Sequence, residues 1–95
     1  MIILNLYYKL NPGTKEKFLD EVYSLGIVQK TQAEKGCIAY DFYASYDKDS
    51  VLLIEKWADN ESLDAHKEQA HLKQLLSLKE KYGITTTVEA FTRNE

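Results

Sequence analysis

Two histidines, one tryptophan and a carboxylate set among aliphatic residues carry most of the chemical potential of this chain, and all lie between Gly36 and His71. The stretch GCIAYDFYASYDKDSVLLIEKWADNESLDAHKEQAH also holds Tyr40, Asp41 and Phe42. An unperturbed imidazole titrates near neutrality, so either His66 or His71 suits general-base work. They stand five residues apart, about 140° round a continuous helix, so they are not the i, i+4 pair of an HExxH zinc helix. A break between Glu68 and Ala70 would let them converge; without one they are two half-exposed helix histidines. Glu55 lies among Leu, Ile and Trp, and a buried carboxylate needs a partner or a proton. The alternatives for it are an ion pair with Lys or Arg, or simple exposure. Trp57 reads either as core or as a platform on which a flat ligand stacks.

The elements that position these residues follow from periodicity. Cys37 to Tyr46 alternates as a strand, Asp47-Lys48-Asp49-Ser50 is a turn, and Val51 to Ala58 returns antiparallel. With Tyr46 opposite Val51, Phe42 faces Glu55, Tyr40 faces Trp57, Asp41 meets Lys56 and Tyr43 meets Ile54. Tyr40, Phe42, Glu55 and Trp57 then share one face of the sheet, a set that a one-residue slip would scramble. Asp59 or Asn60 caps the helix that follows, with Glu61 in its first turn. Leu72, Leu75, Leu76 and Tyr82 continue a helical stripe that Gly83 ends.

Ahead of this block, Ile2 to Leu10 reads as a strand with one apolar face (Ile2, Leu4, Leu6, Tyr8, Leu10) and one mixed face (Ile3, Asn5, Tyr7, Lys9). Asn11-Pro12-Gly13 turns the chain, and Thr14 caps a helix running to about Ala33 with Phe18, Leu19, Val22 and Leu25 inward. Gly26 costs that helix roughly 1 kcal/mol against alanine, and Gly36 terminates it. Ile84 to Phe91 is a last, β-branched strand. The order β-α-β-β-α-β predicts one ferredoxin-like α+β domain over residues 1–95, two helices covering one face of a four-stranded antiparallel sheet. The uncovered face, with Ile3, Tyr7, Tyr43, Leu52 and Ile54, is too apolar for water and predicts a face-to-face homodimer.

Bulk properties narrow the function classes. Twelve Lys and Arg against fifteen Asp and Glu give a net charge of −3, with no basic cluster, which argues against nucleic acid as a partner. No apolar run approaches membrane-spanning length and no basic n-region precedes Ile2, so neither a membrane nor a signal peptide is expected. A single cysteine, Cys37, forms no intrachain disulfide, suits a cytoplasmic location and reads as a small buried hydrophobe. Seven tyrosines exceed what a minimal core needs, so some should line a cavity or an interface. There is no GxGxxG after a strand, no GxxxxGK[ST] and no Cys/His cluster, so dinucleotide, nucleoside triphosphate and structural-zinc readings fall away.

The residues in this order resemble the antibiotic biosynthesis monooxygenase family. Pro12-Gly13-Thr14 before an amphipathic helix resembles its opening, and Glu34-Lys35-Gly36-Cys37-Ile38-Ala39-Tyr40 its E-x-G-c-x-x-Y strand entry. Leu53-Ile54-Glu55-Lys56-Trp57-Ala58-Asp59, then Leu63-Asp64-Ala65-His66 and Ala70-His71-Leu72, resemble its E-x-W-x-d, L-x-A-H and x-H block. The resemblance implies a dimeric α/β barrel of two ferredoxin-like protomers. It also implies a monooxygenase that oxidises quinols or phenols with dioxygen, without metal, flavin or other cofactor. On that footing His66 or His71 is the base, Glu55 orients it or the substrate, and Trp57, Tyr40 and Phe42 wall a small aromatic substrate. Similar sequences include an isomerase of a phosphorylated autoinducer, which would need cationic anchors such as Lys67 and Lys73. A non-catalytic ligand-binding barrel is the remaining alternative. The haem-degrading branch is disfavoured, because Leu75 and Leu76 fall where its late helical histidine would stand, although Asn5 and Trp57 are present.

Overall fold

Four strands whose side chains alternate between helix layer and open face form one antiparallel sheet, ordered β2-β3-β1-β4. In the computed structural model, which describes residues 1–94, these are β1 (Ile2–Lys9), β2 (Cys37–Ala44), β3 (Ser50–Trp57) and β4 (Thr85–Thr92). The connections are helical: α1 (Lys15–Ser24) and α2 (Ile27–Gln32) between β1 and β2, then α3 (Asn60–Lys67) and α4 (Ala70–Lys81) between β3 and β4. This is the expected ferredoxin-like α+β arrangement. The sheet of one chain is open, with β2 and β4 as its edges, so one chain alone makes no closed barrel.

Tyr8, Tyr40, Val51 and Leu53 project from the sheet into a core completed by Phe18, Val22, Ile27, Val28, Leu75 and Leu78 of the helices. Three expectations about those helices need correction. The first helix is not continuous: Gly26 adopts a left-handed φ of 73° and divides it into α1 and α2, a conformation that a residue with a Cβ adopts only with strain. The kink turns Ile27, Val28 and Thr31 inward and leaves Leu25 exposed. In α4 the inward leucines are Leu75 and Leu78, while Leu76 faces out. Thr14 does stand at the N-cap of α1, but its hydroxyl donates to the Asn11 carbonyl instead of capping the helix.

The β2–β3 hairpin is also displaced from its expected register. Ala44, not Tyr46, stands opposite Val51, so Tyr40 faces Glu55, Phe42 faces Leu53, Tyr43 faces Leu52 and Asp41 faces Ile54. Asp41 and Lys56 are therefore not cross-strand partners. The cause is a wider loop: the Lys15 ammonium donates to the Ser45 and Lys48 carbonyls, and the Lys48 N–H donates to the Ser45 hydroxyl, holding these groups out of the ladder. Because the displacement is two residues, every side chain keeps its face. Ile3, Tyr7, Tyr43, Leu52 and Ile54 share the open face with Phe91, while Tyr40, Phe42, Glu55 and Trp57 share the other.

Candidate functional site

The segment Asp59–Leu72 brings the two histidines together. Asp59, extended at φ −159°, accepts the Ser62 N–H at 2.8 Å and starts α3 cleanly, the usual satisfaction of an orphan N-terminal donor. The helix stops at Glu68, and Gln69 adopts an extended conformation (φ −75°, ψ 142°) before α4 begins. That break lies where convergence requires it, and the ring centroids of His66 and His71 stand 6.0 Å apart.

Glu34 joins them. Its Oε2 lies 2.7 Å from His66 Nδ1 and 2.7 Å from His71 Nε2. An ionised carboxylate is acceptor-only, so both imidazole nitrogens donate to it. In the neutral imidazole this sets the His66 tautomer: Nδ1 carries the hydrogen and Nε2 holds a lone pair. His66 Nε2 is buried and has no hydrogen-bond partner among the described residues. Its nearest carboxylate oxygen is Glu55 Oε1 at 3.9 Å. That separation is too long for a direct hydrogen bond. Glu55 Oε1 in turn accepts the Trp57 indole N–H at 3.0 Å, so its partners are an indole and an imidazole, not a lysine or arginine. The Trp57 ring packs on His66 at 4.7 Å between centroids.

The electrostatics follow from burial. Desolvation raises the Glu55 carboxyl above its ordinary 4.5; the Trp57 hydrogen bond and His66 oppose the rise, and Glu34 adds to it. Tyr40, directly across from Glu55, is buried with its hydroxyl unpartnered, and burial followed by the Glu55 charge raises that phenol. Burial and the neighbouring Glu34, Glu55 and Asp41 charges push the Cys37 thiol up to about 11, which removes it as a nucleophile near neutrality. Cys37 is half-buried rather than fully enclosed.

Five of the six candidate residues thus cluster: His66, His71, Glu55, Trp57 and Tyr40. Phe42 lies one pair further along β2, with its ring against Tyr8, Phe18, Tyr23 and Tyr40. Asn5 faces the open side of the sheet, opposite to Trp57. Lys67 and Lys73 are exposed, and Lys67 pairs with Asp64. The residue that sequence reading left without a role is Glu34, although it stands in the strand-entry motif. Its contacts span 32 and 37 residues, beyond the reach of local periodicity.

Glu34, His66 and His71 present three potential ligand atoms within 4.8 Å of one another. Two nitrogens and a carboxylate oxygen are a donor set that suits zinc or iron. Round an ion with ligand bonds of about 2.1 Å, however, adjacent donors stand about 3 Å or more apart. The 2.7 Å separations here are hydrogen bonds.

Fold and site together define a ferredoxin-like α+β protein with an imidazole–carboxylate pair enclosed between sheet and helices. The chain belongs to the antibiotic biosynthesis monooxygenase family, whose model matches residues 1–77. YcnE of Bacillus subtilis (strain 168), provisionally described as a monooxygenase, is 36% identical over 74 residues, covering 77% of this chain and 76% of YcnE. A conserved protein of unknown function from Bacteroides thetaiotaomicron VPI-5482 superposes with a TM-score of 0.83 at 28% identity, covering 95% of this chain and 94% of its own. The crystal structure of an antibiotic biosynthesis monooxygenase matches with a TM-score of 0.84 at 25% identity over 100% of both chains. Family and relative both indicate monooxygenase chemistry.

Proposed function

We propose that this chain oxidises a quinol or other electron-rich hydroxyarene with dioxygen, using its own side chains in place of a metal or flavin. The observation that carries this reading is the buried, unpartnered Nε2 of His66, whose lone pair is directed inward because Glu34 holds Nδ1. His66 is then the base, Glu34 and His71 position it, and Glu55 meets the substrate oxygen from the other side. A deprotonated hydroxyarene is a good one-electron reductant of dioxygen, so removing one proton in a dry site starts the reaction. Converting a hydroxyarene C–H to a quinone carbonyl consumes one dioxygen and releases one water, with all four electrons drawn from the substrate. No external reductant is required. Trp57 and Tyr40 wall the flat substrate.

The test is oxygen uptake by metal-stripped protein with a panel of quinols and polyhydroxyarenes. Uptake matched by quinone formation is expected; a requirement for added metal or flavin, or silence across the panel, would overturn the proposal.

The open sheet face, with Ile3, Tyr7, Tyr43, Leu52, Ile54 and Phe91, is assigned in this reading to a second copy of the chain. A patch of this kind, unusual on a monomer, is consistent with such packing. Light scattering at micromolar concentration should give twice the 11.0 kDa chain mass, and Ile54→Lys should give the monomer. A monomeric wild-type protein would remove this part of the proposal.

A further inference from the structure

One half-buried cation of the helix layer is used by none of the interactions described so far. On α4, the sheet-facing stripe runs through His71, Leu75 and Leu78, and Lys79 is adjacent to it, one turn beyond Leu75. A long lysine stem ordinarily carries its charge out to water. Lys79 instead holds its ammonium 4.7 Å from the ring centroid of Tyr8, a core residue only 1% exposed. Burial lowers its pKa and the Glu55 charge opposes that shift. No carboxylate of the described residues lies within 4.0 Å of it, whereas Lys81 meets Glu21 at 2.9 Å and Lys67 meets Asp64 at 3.6 Å. A half-desolvated cation without a close counter-ion is costly unless something anionic visits it.

Other buried polar groups on the helix side of the sheet lack partners too. Thr86, opposite Tyr8 on β4, buries a hydroxyl that makes no hydrogen bond, as do the Tyr40 hydroxyl and His66 Nε2. Three unsatisfied buried polar atoms in a small domain call for an explanation, and here they face the same layer. The layer is also open on one flank. The helices stop short of β4, so Val88, opposite Leu6 on the helix-facing side, is 54% exposed. A flat molecule lying past Val88 would have Thr86 and Lys79 at one end, beside Tyr8, and Glu55, opposite Leu4, at the other.

We infer that Lys79 is a specificity-determining residue, and that the ligand of this interior site is a small aromatic carrying an ionised oxygen, held by the Lys79 ammonium. Cation–π contact with Tyr8 fixes the ammonium in place, and a charge-assisted hydrogen bond in a low-dielectric layer is strong. This rests on the proposed function for the identity of the ligand as a hydroxyarene, but not for its chemistry. The lysines that sequence spacing suggests as anchors, Lys67 and Lys73, are surface residues; Lys79 is half-buried, its ammonium over the Tyr8 ring.

The probe is 4-nitrocatechol, whose phenol and phenolate differ in visible absorption and which is too electron-poor to reduce dioxygen readily. Titrated against wild-type protein, the bound probe should ionise about one pH unit or more below the free probe, a tenfold preference for the anion. Lys79→Gln should abolish that shift and weaken binding of the anion about tenfold to a hundredfold. Lys79→Arg should keep most of it, and His66→Ala should keep it because the shift comes from the cation and not from the base. A bound probe that ionises like the free one, a shift that survives Lys79→Gln, or no binding to wild-type protein would each overturn the inference. Oxygen uptake is measured separately. A protein that binds phenolate through Lys79 yet oxidises nothing would sink the oxygenase reading and leave this one standing, and turnover unchanged by Lys79→Gln would do the reverse.

Discussion

Replacing His66 with alanine should lower turnover about 10²–10⁴-fold, the range over which positioned general bases act, while His71→Ala should lower it no more than about tenfold. Spacing on a helix made the two histidines equivalent; hydrogen bonding makes them different. His66 has one nitrogen on Glu34 and the other buried and free beside Glu55. His71 contributes its Nε2 to the same Glu34 oxygen, so its part is to position Glu34 and through it His66. Removing it leaves the Glu34–His66 hydrogen bond in place. Glu34→Gln should fall between the two, because an amide can still meet Nδ1 but also presents an N–H that favours the other tautomer. Exogenous imidazole offers a second readout: it should restore part of the activity of His66→Ala and none of Glu34→Gln. The assignment fails if His71→Ala is as damaging as His66→Ala, or if both variants keep full activity.

The features legible in the sequence are those that local rules decide. Alternation over Ile2–Leu10 and Cys37–Tyr46, the Asp59 cap and Gly83 after α4 are short-range signals that match their elements, whereas α2 ends at the Ala33 C-cap, three residues ahead of Gly36. The face shared by Tyr40, Glu55 and Trp57 survived a wrong register because the displacement was even. Where the reading failed, a distant residue decided. Lys15 widens the β2–β3 loop from thirty residues away, and no propensity within the loop encodes that. The helix break at Gln69 was legible only as a condition for the histidines to meet; neither glycine nor proline marks it. Glu34 and Lys79 were illegible as site residues for the same reason. A glutamate after a helix and a lysine on a helix are ordinary surface residues until tertiary packing brings them against the groups they serve.

The steepest loss of stability should come from Gly36→Ala, a substitution one residue outside β2 that touches none of the proposed chemistry. Gly36 has φ +82°, and its carbonyl accepts the Ala58 N–H at 2.8 Å, tying the start of β2 to the end of β3. A left-handed conformation costs a residue with a Cβ roughly 1–2 kcal/mol. The added methyl would also stand 2.0 Å from the Ser62 hydroxyl oxygen and 2.5 Å from the Ser62 Cβ. Relieving such an overlap typically costs about 1–3 kcal/mol more. A total of about 2–5 kcal/mol is a large share of what a domain of this size has, and the melting temperature should fall by about 10 °C or more. The strain is transmitted to the site, because Ser62 and His66 are one turn apart on the same face of α3. Pushing Ser62 outward would carry His66 away from Glu34 and Glu55, so Gly36→Ala should lose turnover even at temperatures where it stays folded. Ser62→Gly in the same chain should recover the steric part of the loss and leave the backbone part. If Gly36→Ala unfolds at the wild-type denaturant midpoint, or if Ser62→Gly recovers nothing, then the contact between the β2 entry and α3 does not hold the histidine helix in place.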